Sequence, residues 1–192
     1  ASITWSYVNV QNGLKIEKGS NTYDEVSFTM ATTGTSATVG SWNSGYGGYQ
    51  IGTSKNKPGT ITFTFDDPWG GNGKYATYTK ITSVTFEGNA GQNGGSGISA
   101  TIGGSAATVS PTTIARNTSG PTTNVTITPG STNTGAVVIS VNSSGAAFYF
   151  KSITITASGD TGSGTPVEGV SISGPSSISM VQYETLQLEA IV

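Results

Sequence analysis

The strongest constraint on the fold of this chain is a period-two alternation of apolar and polar residues in many short segments. In residues 60–65, Ile61, Phe63 and Phe65 alternate with threonines, and residues 26–32 repeat the pattern. Side chains alternate between the two faces of a β-strand, so each such segment buries one face and exposes the other. No window of about ten residues shows helical periodicity. The sequence therefore predicts an all-β protein.

Short segments bounded by Gly, Pro, Asn or Ser repeat along the chain, and each is predicted to be a strand. The predicted strands are 3–10, 13–18, 26–32, 49–52, 60–65, 81–87, 98–102, 108–109, 124–128, 136–142 and 147–157. Residues 66–78 and the glycine-rich residues 88–97 are predicted to be loops. Many short strands without a helix favour a two-sheet antiparallel β-sandwich of jelly-roll type.

The last predicted strand changes its alternation in the middle. Phe148 and Phe150 share one parity, whereas Ile153 and Ile155 share the other. Either both faces of this strand are covered, or one extra residue near Lys151 shifts the register. We favour the second interpretation, a β-bulge in the strand that closes the sandwich.

Composition indicates where such a protein works and excludes two classes of partner. Charged residues make up only 9% of the chain, and it has 28 glycines and no cysteine. A low-charge, Thr- and Gly-rich composition is typical of secreted all-β proteins, and the lack of disulfides fits a bacterial protein that is secreted or displayed on the cell surface. With a net charge of -2 and scattered basic residues, nucleic acid is not an expected partner. No apolar run is long enough to predict membrane insertion.

A change in composition after residue 158 predicts two domains joined by a linker. Residues 1–158 are the predicted β-sandwich, and residues 159–166 (GDTGSGTP) are the predicted linker. Apolar residues then recur at period two through residues 167–192, which predicts the first strands of another domain.

Those final residues resemble the beginning of a bacterial Ig-like domain of group 2. The family pattern V-x-x-V-x-I, followed by T-x-x-L-x-A, is matched by Val167, Val170, Ile172, Thr185, Leu188 and Ala190. The chain departs from the pattern at Tyr183, where the family commonly has Gly. The resemblance implies the N-terminal part of an Ig-like β-sandwich. Residues 1–158 resemble, more loosely, the jelly-roll modules that precede such repeats on secreted bacterial proteins, in the segments YQIG and FKSITIT.

Several kinds of catalytic site are excluded by composition. The chain has no histidine and no cysteine, so it has no Ser-His-Asp triad, no cysteine nucleophile and no zinc site with His or Cys ligands. A glycosidase needs two facing carboxylates, and no spacing in this sequence points to such a pair. We therefore expect no enzymatic activity and no cofactor, apart from a calcium ion.

The calcium expectation rests on Asp66 and Asp67, an adjacent acidic pair at the point where a predicted strand enters a predicted loop. Together with backbone carbonyls they would offer oxygen ligands, which Ca²⁺ prefers. The alternative is a solvated start of the loop in which Asp66 caps the turn.

Aromatic residues in the Gly-, Ser- and Tyr-rich residues 34–59 and in the predicted loop 66–78 are the best candidates for ligand binding. The candidate residues are Trp42, Tyr46, Trp69, Asn72 and Tyr75. Sugar rings stack on aromatic planes, and neighbouring amides can bind the sugar hydroxyls. In the alternative interpretation, Trp42 and Tyr49 instead cover the core of the sandwich.

Two functional hypotheses follow. The first is a non-catalytic surface module that binds a glycan or a surface protein through its end loops. The second is a structural or assembly domain of an adhesin, an S-layer or a virion decoration protein. Because a few Ig-like strands leave open sheet edges, self-assembly through residues 167–192 is a further expectation.

Overall fold

The computed structural model describes residues 1–66 and 73–159. The strands are β1 (Ser2–Val8), β2 (Gly19–Tyr23), β3 (Val26–Thr32), β4 (Val39–Asn43), β5 (Gly48–Ile51), β6 (Gly59–Phe65), β7 (Lys80–Ala90), β8 (Ser96–Ile102), β9 (Ser105–Ala106), β10 (Thr108–Ser110), β11 (Thr113–Ile114), β12 (Thr123–Thr128), β13 (Val137–Ser143) and β14 (Phe148–Ser158). A 3₁₀ turn, Gly73–Tyr75, is the one helical element in these two ranges. The predicted all-β class is confirmed.

The strands form two antiparallel sheets that pack as a sandwich. The first sheet has the order β10-β12-β7-β14-β5-β4, and β1 also pairs with β14. The second sheet has the order β11-β8-β13-β6-β3-β2, and β9 also pairs with β8. From β5 onward the longer strands alternate between the sheets, which gives the central orders β12-β7-β14-β5 and β11-β8-β13-β6. This is the connectivity of a jelly roll.

The inward-facing residues of both sheets fill one core. In β6, Ile61, Phe63 and Phe65 are fully buried while the threonines between them face outward. The ring of Phe63 lies 5.2 Å from that of Phe86 and 4.9 Å from that of Phe150, centroid to centroid. Burying each of these side chains contributes about 1.5–3 kcal/mol, so the alternation that predicts the strands also supplies much of the stability.

The predicted β-bulge in β14 is confirmed. Phe150 pairs with Gly88 and Ser152 pairs with Glu87, so Lys151 is an extra residue that the backbone register leaves unpaired with β7. The buried Asn9 occupies this point, where its side-chain amide donates to the carbonyls of Phe150 (3.3 Å) and Lys151 (2.9 Å). The extra residue allows apolar side chains on both sides of the bulge to reach the core.

The predicted strand at residues 13–18 is wrong, although this segment is well anchored. The side chain of Asn21 accepts a hydrogen bond from the backbone N–H of Glu17 (2.8 Å) and donates one to its carbonyl (2.9 Å). The backbone of Glu17 thus bonds to a side chain instead of a neighbouring strand. The segment crosses between the sheets as an irregular connection, with Ile16 buried beneath it.

The predicted loop at residues 88–97 begins three residues too early, because β7 continues through Ala90. Gly88 has no side chain, which allows the ring of Phe148 to pack closely against the backbone of β7. A Cβ atom at this position would lie 2.5 Å from Cζ of Phe148. Asn89 is fully buried, so this part of the glycine-rich segment belongs to the sheet.

In the part of the chain that the structure describes, no helix is long and apolar enough to cross a membrane. The last strand ends at Ser158, where the sequence predicts the end of the first domain. The predicted linker beyond Gly159 and residues 167–192, predicted to begin an Ig-like domain, lie outside the described ranges.

Candidate functional site

A groove of about 760 Å³ lies between β4, β5 and the connection from β1 to β2. Its lining residues are Gln11, Asn12, Gly13, Lys15, Gly40, Ser41, Trp42 and Tyr49. We call it the aromatic groove. Pockets that bind small ligands commonly enclose about 300–1,000 Å³, so the groove has a suitable size for a ligand.

A β-bulge in β4 determines the side on which Trp42 lies. Val39 pairs with Ile51 and Trp42 pairs with Tyr49, so three steps along β4 match two steps along β5. In a regular strand, residues three apart face opposite sides. The bulge at Gly40 therefore brings Trp42 to the same side as Tyr49, which faces the interior.

Trp42 packs against Tyr49 edge to face, with ring centroids 5.7 Å apart and an interplanar angle of 77°. Tyr49 is only 5% exposed, which agrees with the interpretation that it covers the core. Trp42 is half-buried, so part of its indole is open to the groove. The pair thus combines a fixed inner ring with an accessible outer ring.

A tight turn at Asn12 forms the opposite wall. Asn12 has a φ of 60°, in the left-handed region that Asn tolerates better than most residues. The N–H of Gly13 donates to the carbonyl of Val10 (3.0 Å), and the N–H of Val10 donates to the carbonyl of Leu14 (3.2 Å). These bonds hold the turn, while the side chains of Gln11 and Asn12 are exposed along the groove.

Lys15 continues this wall and is fixed through its backbone. The hydroxyl of Tyr7 donates to the carbonyl of Lys15 (2.6 Å), and the next residue, Ile16, is fully buried. Burial, with the charge of Glu17 adding to it, raises the pKa of Tyr7 to about 12. The phenol therefore stays protonated and remains a donor at neutral pH, while the Lys15 side chain is exposed.

A smaller cavity of about 260 Å³ adjoins the aromatic groove. Both are lined by Lys15 and Gly40, so Lys15 stands where the two meet. Glu17 and Lys18 line the smaller cavity, where the ammonium group of Lys18 also contacts the carbonyls of Thr35 (3.5 Å) and Ala37 (3.3 Å).

Tyr46, another predicted ligand-binding residue, lies on the other face of the first sheet. Its ring stacks on that of Tyr149, with centroids 4.1 Å apart and an interplanar angle of 8°. Tyr149 precedes the inward-facing Phe150 and therefore points outward. The structure thus separates Tyr46 from Trp42 by the thickness of the sheet.

The loop that carries Tyr46 is held by the buried Asn89. Its side-chain amide donates to the carbonyls of Tyr46 (3.1 Å) and Asn117 (2.7 Å), and its oxygen accepts from the N–H of Asn117 (2.9 Å). Two loops are thereby tied to one point on β7.

The structure gives Tyr75 a different role from the predicted one. Tyr75 is 2% exposed and packs in the core, so its ring is not available as a stacking surface. Its hydroxyl donates to the carboxylate of Asp24 (2.7 Å), which also pairs with Lys74 (2.7 Å). The hydrogen bond from Lys74 lowers the pKa of Asp24. The cluster anchors the chain just after residues 67–72.

Three predicted site residues, Asp67, Trp69 and Asn72, lie outside the described ranges. Asp66 is exposed just after β6. Within residues 1–66 and 73–159, no group of three or more acidic side chains could hold a metal ion. The calcium site at Asp66 and Asp67 stays a prediction.

Glu87 forms a second polar cluster on the outer face of the first sheet. Its carboxylate accepts hydrogen bonds from Lys151 (2.8 Å), Ser152 (3.3 Å) and the hydroxyl of Thr122. Burial raises the pKa of Glu87, but the hydrogen bonds from Lys151 and Thr122 outweigh it and keep the pKa below its usual value. The carboxylate is therefore charged and saturated with donors at neutral pH, which suits a structural role.

Sequence reasoning missed the polar wall of the groove. Gln11 and Asn12 precede the predicted strand 13–18 and Lys15 lies in it, and nothing in their spacing relates these residues to Trp42, some 30 residues later. The one local sign that Lys15 is exposed is its place in the alternation, between the apolar residues Leu14 and Ile16.

No family model, curated protein or solved structure matches this chain. The side chains of the aromatic groove are therefore the basis for a functional assignment.

Proposed function

We propose that this domain is a non-catalytic surface module that binds a glycan through the aromatic groove. The observation that carries the proposal is the position of the half-buried Trp42. The bulge in β4 orients this side chain toward a groove of about 760 Å³. Sugars have apolar C–H faces that pack on aromatic rings, as well as hydroxyls that need polar partners. Trp42 supplies the first kind of contact.

The opposite wall supplies the second kind. Gln11 and Asn12 each carry an amide that can donate and accept, and Ser41, which lies beside Trp42 on β4, adds a hydroxyl. All three are exposed and therefore available to a ligand. Because hydrogen bonds and a buried neighbour already fix the backbone of this wall, binding requires little further ordering, which favours affinity.

A secreted or cell-surface location is part of the proposal. The support is compositional: 9% charged residues and no cysteine in a chain of 192 residues. The apolar faces and hydroxyls of glycans match the aromatic and amide side chains of the groove.

The test is a glycan array probed with the whole chain and with Trp42→Ala. We expect the wild type to bind a defined set of glycans and Trp42→Ala to lose at least about threefold in affinity, since an aromatic contact contributes about 0.5–1.5 kcal/mol beyond the area that it buries. Tyr46→Ala is the matched control, because it removes an aromatic ring from the opposite face. Unchanged binding by Trp42→Ala, with a normal melting temperature, would contradict the proposal.

A structural or assembly domain is the second candidate, and the outer face of the first sheet favours it. A row of hydroxyls crosses five strands there, formed by Ser6, Thr154, Thr85, Thr126 and Ser110. An uncharged row of this kind suits packing against a second copy. Sedimentation velocity would then show concentration-dependent assembly, and Thr154→Lys would abolish it. A monomer at all concentrations excludes this role for that face.

A further inference from the structure

Lys15 gives the aromatic groove an electrostatic preference. Among the described residues that line the groove, it carries the one charge, while the others are amides, a hydroxyl, glycines and two aromatic rings. The chain as a whole has a net charge of -2, so a cation here opposes the overall sign of the molecule.

The ammonium group of Lys15 is also not neutralised by the protein. Two other lysines are paired, since Lys74 contacts Asp24 at 2.7 Å and Lys151 contacts Glu87 at 2.8 Å. Within residues 1–66 and 73–159, no carboxylate lies in ion-pair contact with Lys15. Glu17 and Lys18 both line the adjoining cavity, where the ammonium group of Lys18 contacts the carbonyls of Thr35 and Ala37.

We propose that the aromatic groove selects an acidic sugar, whose ring packs on Trp42 while its negative group binds Lys15. This inference rests on the proposed glycan binding and adds the class of ligand and the residue that determines it. Lysine acts as a point charge without a fixed donor geometry, so a carboxylate and a sulfate are both suitable groups. The shared chemistry is one negative charge on a sugar ring.

Matched pairs of oligosaccharides isolate that charge. A uronic acid oligomer is compared with its methyl ester, and a sulfated oligomer with its desulfated form, so each pair shares a backbone and differs in charge. Calorimetry at low and moderate salt measures the wild type, Lys15→Gln and Trp42→Ala. Lys18→Gln is the matched control, because its ammonium already contacts two backbone carbonyls.

We expect the acidic member of one pair to bind about three- to tenfold more tightly than its neutral form, and the preference to weaken with salt. The pair that shows it identifies the negative group. Lys15→Gln should bring the affinities for the acidic and the neutral form to within about twofold of each other, while Lys18→Gln retains the preference.

Two results would overturn the inference. The first leaves the proposed glycan binding intact, and the second contradicts that as well. If acidic and neutral forms bind equally and Trp42→Ala abolishes both, the groove binds glycans without selecting charge, and the proposed function stands. If binding is absent in the wild type or insensitive to Trp42→Ala, the proposed function fails, and the charge preference fails with it.

Discussion

Glu87 shows how a carboxylate on a sheet face can be stabilised although it is partly removed from water. Three donors surround it, and Lys151 reaches it because the bulge in β14 turns that residue toward β7. Burial alone would raise the pKa of Glu87, but the donors lower it. Since the folded pKa is below the unfolded one, this stabilisation is complete above about pH 4.3 and is lost as the pH falls through the folded pKa.

Glu87→Gln should therefore lower the melting temperature at neutral pH and matter less in acid. We expect a loss of about 2–4 °C at pH 7, equivalent to about 1 kcal/mol, and a smaller difference from the wild type below pH 4. Thermal unfolding by circular dichroism across this pH range measures it. The exposed Glu17→Gln serves as control, and a constant difference at every pH would show that charge is not the cause.

Asn89 illustrates the opposite case, a buried neutral side chain whose hydrogen bonds all go to loops. Asn89→Ala removes the partner of the Asn117 N–H and of two carbonyls, and each unsatisfied buried group costs about 1–3 kcal/mol. We expect the free energy of unfolding to fall by about 3 kcal/mol in urea titrations, while the exposed Asn124→Ala changes it by less than about 0.5 kcal/mol. A loss below 1 kcal/mol for Asn89→Ala would mean that water replaces these bonds.

At the level of strands, the sequence predicts a β-bulge only where the bulge changes the alternation of apolar residues. The bulge in β14 is predictable because Phe150 and Ile153 must both reach the core across an odd spacing. The bulge in β4 has no such signal, since its neighbours Gly40 and Ser41 are small and Trp42 is only half-buried. β2, with the sequence GSNTY, is not predicted as a strand, because it has no alternating apolar residues. Its hydrogen bonds to β3 come from tertiary pairing and not from alternation.

A pair of single-residue deletions in β14 tests this account of the bulge. Deleting Lys151 removes the extra residue and restores a regular alternation, so the domain should still fold, with a loss of about 2–3 kcal/mol from the bonds to Asn9 and Glu87. Deleting Thr154 instead turns Ile155 to the outer face, and that variant should not fold. Far- and near-ultraviolet circular dichroism distinguishes the two. Equal behaviour of both deletions would refute the account.

For the molecule as a whole, the alternation fixes the class of the fold but not the order of the strands. Every residue of β1 pairs with β14, from Ser2 with Ser158 to Val8 with Ser152. No local pattern relates segments so far apart, and the same holds for the aromatic groove, whose walls come from separate connections. The jelly-roll expectation followed from the number of short strands, whereas the pairing of the chain's ends appears only in the structure.

This pairing makes the last strand decisive for folding. β14 lies between β7 on one side and β1 and β5 on the other, so the first sheet cannot form without it. All the described strands of both sheets lie within residues 2–158. We expect a fragment of residues 1–159 to unfold cooperatively in a thermal scan and to show dispersed amide resonances. A fragment of residues 1–150 keeps the pairing of β14 with β5 but loses all its pairing with β1, and it should be unfolded. If residues 1–159 fail to fold, the predicted domain boundary at residue 158 is wrong; if residues 1–150 fold equally well, the central role of β14 is wrong.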